Sequence, residues 1–512
     1  MFSLRAKNFR SFSDTGNIEV RPLTFFVGKN GSGKSSISRL FPLLRQSVEV
    51  RSSAPLVWYD ANFVDFGSIR EVLNRYEKKD SLTFEFAIDS SEFSWLANSR
   101  NGLVEVSRVA LEVNLAEQNE KTVLTSVKIK LDDAEIFIAF DVRQKLSRIE
   151  VNGFEFFDES ELSRLRFSTN NIIPKFIENT VTVSGYGVGR NAEVSEKASR
   201  EIFSLLSNRL DTRVTSHNLI SIIRKIKFAP GEKFITGLRE VSEARETWKK
   251  YVKKLDGIKF LDEIARLRSL VLLSTLPRLL VDLEAAFYSK FYSISYIGPS
   301  RDTGQRFYRI QELAVNQIDP RGQNFPMFLL SLTQRERVKF SSWMQEVLGY
   351  DVQPLRTSGH VSIMLREVGS QNQFNISDMG YGFSQILPVL AQFWLQANRA
   401  AARRFANKIV VIEQPELHLH PALQRRIAHA LARLVSTSQE HSRRRWSAII
   451  ETHSEQLINE VGSLIEAGEL HHSQVAIYVF DKETEDECTR VRRAHYDESG
   501  NLINWPFGFF YE

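Results

Sequence analysis

Gly28-Lys29-Asn30-Gly31-Ser32-Gly33-Lys34-Ser35 fits G-x-x-x-x-G-K-[ST] at every defined position. The apolar run Leu23-Thr24-Phe25-Phe26-Val27 precedes it, and a helix-like stretch over residues 36–44 follows, which is the strand–loop–helix setting the motif needs. Its complements lie near the other end of the chain. Gly380, in the stretch Asp378-Met379-Gly380-Tyr381-Gly382-Phe383-Ser384-Gln385, lies 345 residues beyond Ser35. Val410-Val411-Ile412-Glu413-Gln414-Pro415-Glu416 and Thr452-His453-Ser454 come later still. A phosphate site divided in this way forms only if both ends of the chain fold together, so whatever lies between can respond to its occupancy.

The loop's chemistry follows from its residue types. Glycines let successive backbone N–H groups turn toward one point, and the following helix adds its positive N-terminal end. Lys34 is expected to reach the β- and γ-phosphates and Ser35 to ligate Mg²⁺ through its hydroxyl, with residues Gly28, Lys29, Asn30, Gly31, Ser32, Gly33 and Ser36 completing the contact surface. The expected cofactors are ATP and Mg²⁺.

Composition excludes some classes of protein. At 512 residues the chain has room for two to four domains or one large domain with insertions. No apolar run reaches ~18 residues free of charge and proline; residues 270–283 come closest and are interrupted by Pro277, Arg278 and Asp282. The first residues lack an apolar signal core, and one cysteine, Cys488, excludes an intrachain disulfide or a Cys-x-x-Cys metal hook. The expectation is a cytoplasmic protein with no membrane partner. A net charge of +5 does not demand nucleic acid. Basic residues do cluster at Arg403-Arg404, Arg425-Arg426, Arg443-Arg444-Arg445 and Arg492-Arg493. They fit solvated faces or a salt-sensitive DNA track.

Along the chain, residues 1–155 read as an N-terminal lobe: strands, the glycine-rich loop and its helix, then alternating apolar runs over 82–88, 104–115, 123–131 and 136–140 that predict antiparallel strands. Asp132-Asp133 and Asn152-Gly153 are turn signals between them. Residues 156–293 form a mainly helical insertion, in which Leu279, Leu283 and Phe287 share a face and the polar stretch 237–256 suggests an exposed helical hairpin. Residues 294–512 form the C-terminal lobe. The fold class is α/β, with an antiparallel β subdomain and the helical insertion.

In the C-terminal lobe Ile409–Ile412 reads as a buried strand ending in Glu413, a carboxylate placed to hold the Mg²⁺ shell opposite Ser35. A second strand, 447–451, ends at Thr452-His453, where an imidazole can sense the γ-phosphate. Helix 422–434 would connect the two strands as parallel neighbours. Ser377 or Asp378 suits the N-cap of an apolar helix running through Leu390.

These residues resemble a family. Lys7-Asn8-Phe9-Arg10-Ser11-Phe12 looks like the first strand of SMC, RecF and OLD-type ABC ATPases, and Ile412-Glu413-Gln414-Pro415-Glu416-Leu417-His418-Leu419-His420-Pro421 is similar to the E-[EQ]-P-E-x-H-L-H-P stretch of the OLD/RecF-like branch. Tyr296 to Arg301 and the closing Trp505-Pro506-x-Gly508-Phe509-Phe510 resemble elements of bacterial ATPases of the antiviral-defence kind, the Septu ATPase among them. The resemblance implies an ABC-type ATPase head and a head-to-tail dimer or higher oligomer. In it, Ser377, Asp378, Gly380 and Gly382 of one copy would close over ATP on the Lys34 face of the other, in place of the usual L-S-G-G-Q signature. It implies a separate nuclease partner in antiphage defence; the alternative is a nucleotide-gated DNA clamp in repair or recombination.

One departure matters. Relatives carry a glutamate after the first carboxylate to activate the attacking water, and this chain carries Gln414. An amide orients water but cannot take its proton. Slow turnover is expected, with Glu416, beyond Pro415, as a substitute if the turn brings it round. His418 and His420 invite a metal reading, but no third ligand is near in sequence. The run Asp481, Glu483, Glu485, Asp486, Glu487 reads as a solvated turn. Only 59 residues follow His453, too few for a nuclease domain of usual size.

Overall fold

The computed structural model describes residues 2–77, 79–89, 106–177, 192–210, 214–241, 246–255, 261–312, 314–398, 407–440, 445–482, 484 and 487–506. Arg403, Arg404, Arg443, Arg444, Glu483, Glu485, Asp486 and the closing Gly508-Phe509-Phe510 lie outside the described residues. The chain forms two units that interleave along the sequence: Met1–Asn8, Val50–Val57 and Lys79–Tyr288 make one, and Phe9–Glu49, Trp58–Lys78 and Ser289–Glu512 the other. The expected division at 155/156 and 293/294 is consecutive, whereas each unit draws on three separate stretches.

In the first unit the alternating runs become an antiparallel meander. Phe2–Phe9 pairs with Ser81–Asp89, which is followed in order by Arg108–Gln118, Lys121–Leu131, Ala134–Phe140, Leu146–Val151 and Phe154–Glu155. Period-two patterning puts Leu82, Phe84, Phe86 and Ile88 on the buried face. The hairpins turn at residues with positive φ, each pair led by an asparagine, which tolerates it: Asn119 (50°) with Glu120 (63°), and Asn152 (50°) with Gly153 (82°). Helices Ala192–Ser207, Ser216–Ile223, Lys233–Arg239, Glu246–Leu255 and Leu261–Tyr292 follow. Leu279, Leu283 and Phe287 are buried on the last of these, and Phe287 meets Phe86 edge-on at 5.6 Å. The described part of the stretch 237–256 is not an exposed hairpin, residues 242–245 and 256 lying outside the described residues: Trp248, Tyr251, Val252 and Leu255 of helix Glu246–Leu255 are buried, and Trp248 donates its indole N–H to the Leu238 carbonyl at 3.0 Å. Its lysines cover one face while an aromatic face packs inward.

The second unit is built on a seven-stranded sheet. Ile294–Ile297, Asn407–Glu413, Arg445–Thr452, Leu23–Gly28 and Val475–Asp481 are parallel neighbours in that order; Arg490–Tyr496 and Leu502–Ile503 extend it antiparallel. Strands with helices on both faces carry continuous apolar runs, and all six residues of Leu23–Gly28 are buried. Helix Pro421–Glu440 links the Glu413 strand to its parallel neighbour. The helix expected over 36–44 is two pieces, Lys34–Ser38 and Leu40–Glu49. Pro42 has no N–H for the Ser38 carbonyl, so the ladder breaks at Arg39. A smaller sheet of Tyr308–Arg309, Tyr350–Thr357, His360–Glu367 and Gln373–Asn375 belongs to the same unit. The expected α/β class with an antiparallel sheet and a set of helices is therefore borne out. No helix among the described residues is long and apolar enough to cross a membrane.

Candidate functional site

Parallel pairing lines up the C-terminal ends of three strands along one sheet edge. Gly28 ends the central strand, Thr452 the next and Glu413 the one beyond, with Glu413 and Glu451 directly paired in register. This is the edge where open α/β sheets bind ligands.

The loop leaving Gly28 has no room for a side chain at Gly28 or Gly33. A Cβ on Gly28 would lie 2.5 Å from the Phe480 carbonyl, and one on Gly33 2.6 Å from the Ser11 hydroxyl and 2.7 Å from the Phe12 ring. Gly31 and Gly33 have φ of 75° and 91°. Lys29 and Asn30 are exposed at the loop's crest, and Ser36 lies in the first turn of the helix with its N–H 3.0 Å from the Gly33 carbonyl. Lys34 folds back to donate to the Gly28 and Lys29 carbonyls at 2.8 and 2.7 Å. Burial, opposed by the charges of Glu451 and Glu416, brings its pKa down to about 8. The Ser32 hydroxyl is buried and has no partner among the described residues.

Sequence reasoning set Glu413 opposite Ser35. In the structure the Ser35 hydroxyl instead donates to Glu451 Oε1 at 2.6 Å, and the Ser38 hydroxyl donates to Glu451 Oε2 at 2.8 Å. Glu413 is held elsewhere: Arg39 donates from Nε to Oε1 and from Nη2 to Oε2, both at 2.8 Å, and the Tyr296 hydroxyl donates to Oε1 at 2.9 Å. Both carboxylates are buried. Burial and then the neighbouring Glu413 raise the Glu451 pKa. The hydrogen bond to Glu413 raises that of Arg39. The donors are hard oxygens and hydroxyls beside an N–H-lined loop, which suits Mg²⁺ and a polyphosphate.

Gln414 occupies a left-handed turn, φ 46°, with its N–H on the Glu451 carbonyl at 2.8 Å. Arg301, buried, stitches this turn: its Nη1 donates to the Gly298 and Glu413 carbonyls at 3.0 and 3.2 Å, and its Nη2 to that of Gln414 at 2.9 Å. The turn does bring Glu416 back to the sheet edge. Its Oε1 accepts the His453 backbone N–H at 2.7 Å, its Oε2 is buried without a partner among the described residues, and burial raises its pKa. Burial and the charge of Lys34 push His453 down to about 4, so at neutral pH the ring is an uncharged hydrogen-bonding group.

The expected signature segment is organised by its own side chains. Asn375, not Ser377 or Asp378, caps the short turn Ile376–Asp378, and the helix starts at Tyr381. Asp378 pairs with Arg306 at 2.6 Å, and the Ser377 hydroxyl donates to Asp378. Gly380 has φ 79° and open space around it, while a Cβ on Gly382 would lie 3.1 Å from the His418 carbonyl. Tyr381 and His418 meet ring to ring at 4.8 Å. Among the described residues no hydrogen bond joins 377–382 to the 28–36 loop. His420 Nδ1 accepts the Ala422 N–H, and no cluster of three or more metal-ligating side chains occurs among the described residues.

With this geometry in place, the comparisons agree. The model of the AAA ATPase domain matches residues 1–458. The chain belongs to the AAA ATPase domain family. Family membership carries nucleotide binding with it. Among curated proteins none matches the chain. Similar solved structures include an Smc head bound to the C-winged helix domain of ScpA, at 12% identity and TM-score 0.36 over 97% of this chain and 98% of that one. Another is the Pyrococcus furiosus Smc head with an extended coiled coil bound to the ScpA C-terminal domain, at 12% and 0.36 over 96% of each. The Thermotoga maritima SMC head gives 10% and 0.35 over 96% and 97%. Likeness at this level assigns no partner and no activity.

Arg39, Ser38 and Glu451 were not singled out by sequence reasoning, and Tyr296 and Arg301 entered only through resemblance. Glu451 does carry one signal: it is an acid closing an apolar strand, immediately before Thr452-His453.

Proposed function

We propose that this AAA ATPase domain binds ATP with Mg²⁺, hydrolyses it slowly, and acts in the cytoplasm as the nucleotide-controlled subunit of a complex. The observation that carries the reading is the meeting of Lys34, Ser35, two buried carboxylates and His453 at one sheet edge from opposite ends of the chain. Lys34 and the loop N–H groups would hold the β- and γ-phosphates; Ser35 and one of the two carboxylates would hold Mg²⁺, which when bound neutralises phosphate charge. Gln414, fixed by Arg301, can orient a water but not deprotonate it, which supports slow turnover. Glu416, with a free buried oxygen next to His453, is the group placed to assist.

The exposed, conformationally open Gly380 ahead of helix Tyr381–Asn398 supports closure over ATP on a second copy, head to tail. The resemblance of the sequences 296–301 and 505–510 to bacterial ATPases of the antiviral-defence kind supports regulation or scaffolding of a separate nuclease in antiphage defence. The test has two stages. Lys34→Ala should abolish ATP binding, and Gln414→Glu should accelerate turnover; wild-type turnover on the order of tens per second, with Gln414→Glu no faster, ends the slow-hydrolysis reading. Native purification with ATP and Mg²⁺, followed by mass spectrometry, should then recover a stoichiometric nuclease. Dimers retaining DNA and no nuclease would replace that partner with the DNA-clamp role.

A further inference from the structure

We infer that Glu451, not Glu413, is the protein carboxylate that holds the nucleotide-bound cation together with Ser35. The inference rests on the ATP–Mg²⁺ reading above and deepens it. It follows from how the two adjacent acids are occupied.

Glu413 and Glu451 are register partners on parallel strands, so both carboxylates reach the same sheet edge. Their surroundings differ in charge. Glu413 is the more fully bonded: the Arg39 guanidinium grips both oxygens in a fork, the Tyr296 hydroxyl adds a third donor, and the Ser38 hydroxyl approaches Oε1 at 3.5 Å. A bidentate guanidinium satisfies a carboxylate in charge and in geometry, leaving little for a cation to gain there. Moving Mg²⁺ onto Glu413 would require breaking a pair whose carboxylate is 2% exposed.

Glu451 has no such partner. It is 2% exposed, and its contacts are the neutral hydroxyls of Ser35 and Ser38 at 2.6 and 2.8 Å. Among the described residues no guanidinium or ammonium is bonded to it; the nearby Lys34 spends its donors on the Gly28 and Lys29 carbonyls. A buried carboxylate bonded only to hydroxyls, with the Lys34 charge near but not bonded to it, is only partly compensated, which is unfavourable until a cation arrives. Each hydroxyl keeps lone pairs while donating, so Ser35 can serve the acid and the metal at once. Carboxylate, hydroxyl and phosphate oxygens form the hard donor set Mg²⁺ prefers. Arg39 then acts as a positioning residue, since it withdraws Glu413 from competition.

The experiment measures affinity for a fluorescent ATP analogue, on the full chain, with Mg²⁺ and with a chelator. The readout is the ratio of the two affinities, backed by Mn²⁺ electron paramagnetic resonance with the same nucleotide. Glu451→Gln should cut the Mg²⁺-dependent gain at least tenfold and release Mn²⁺, while chelator affinity stays within a few fold. Glu413→Gln should keep most of the gain. The reverse pattern, or an unchanged gain in Glu451→Gln, overturns the inference. If Glu451→Gln does not fold, Glu451→Asp decides the point: it keeps the charge but retracts it, so a reduced gain supports the inference and a full gain refutes it. A wild-type chain with no Mg²⁺-dependent gain would instead remove the ATP–Mg²⁺ reading itself, which separates the two failures.

Discussion

Nucleotide affinity should fall as pH rises above about 8, because of one buried amine. Lys34 is 3% exposed, and burial lowers its pKa from 10.5 to about 8 against the opposing pull of Glu451 and Glu416. Only the ammonium attracts a polyphosphate, and bound phosphates would raise its pKa again, so binding above the free value must draw in a proton. The size follows directly from a free value of about 8. Proton uptake on binding should be about 0.1 at pH near 7 and about 0.9 at pH near 9, and affinity should drop about tenfold over that interval, ~1.4 kcal/mol. Titration calorimetry in two buffers of different ionisation enthalpy counts the protons directly. The same shift has the opposite sign for folding. Between about 8 and 10.5 the unfolded chain holds more protons than the folded one, so the stability contributed by this group rises with pH. Weaker binding without loss of fold is therefore the signature. Affinity that is flat to about pH 9, or uptake near zero there, would show that Lys34 is not the titrating contact.

Other perturbations probe the supports of the site. Arg39→Ala leaves the Glu413 carboxylate with Tyr296 as its main donor; breaking a buried pair costs about 3–5 kcal/mol, and because the Arg39 side chain is 39% exposed, water should reduce this to about 2–3 kcal/mol, read as a lower urea midpoint. Arg301→Lys replaces one fork that reaches three carbonyls with a single ammonium, so the Gln414 turn should loosen and kcat should fall at least about tenfold with KM changed little. Gly33→Ala adds a Cβ 2.6 Å from Ser11 at φ 91°, and should abolish nucleotide binding while far-ultraviolet circular dichroism stays unchanged.

How much of this was legible in the sequence depended on whether a residue's role is local. The loop 28–35 and the hairpin turn Asn152-Gly153 were readable because their conformations depend on their own residue types. The strands 81–89 and 407–413 were readable because burial on one or both faces writes a period into the chain. The polar stretch 237–256 misled because charged residues outnumber apolar ones there; the decisive fact is that Trp248 and Tyr251 fall on one face and find a core. The break at Arg39 was available from Pro42, whose missing N–H acts back along the chain at Ser38.

The partnership of Ser35 with Glu451 was the part no local rule could reach. Reading strand ends one at a time assigns the metal-facing acid to the strand whose motif is familiar, here the one ending in Glu413. In a parallel sheet, however, every strand presents its C-terminal end at the same edge, and the neighbour in space is set by strand order. The order Asn407–Glu413, Arg445–Thr452, Leu23–Gly28 puts the Glu451 strand, not the Glu413 strand, next to the phosphate loop. Glu413 is one strand further out and meets Arg39, one turn past Ser35 on the same helical stretch. An arginine four residues after the loop serine thus bears on which carboxylate faces the hydroxyls. The adjacency is what brings Glu451 into hydrogen bonds with Ser35 and Ser38 at 2.6 and 2.8 Å, while Glu413, one strand further out, meets Ser38 only at 3.5 Å and is held by the Arg39 fork.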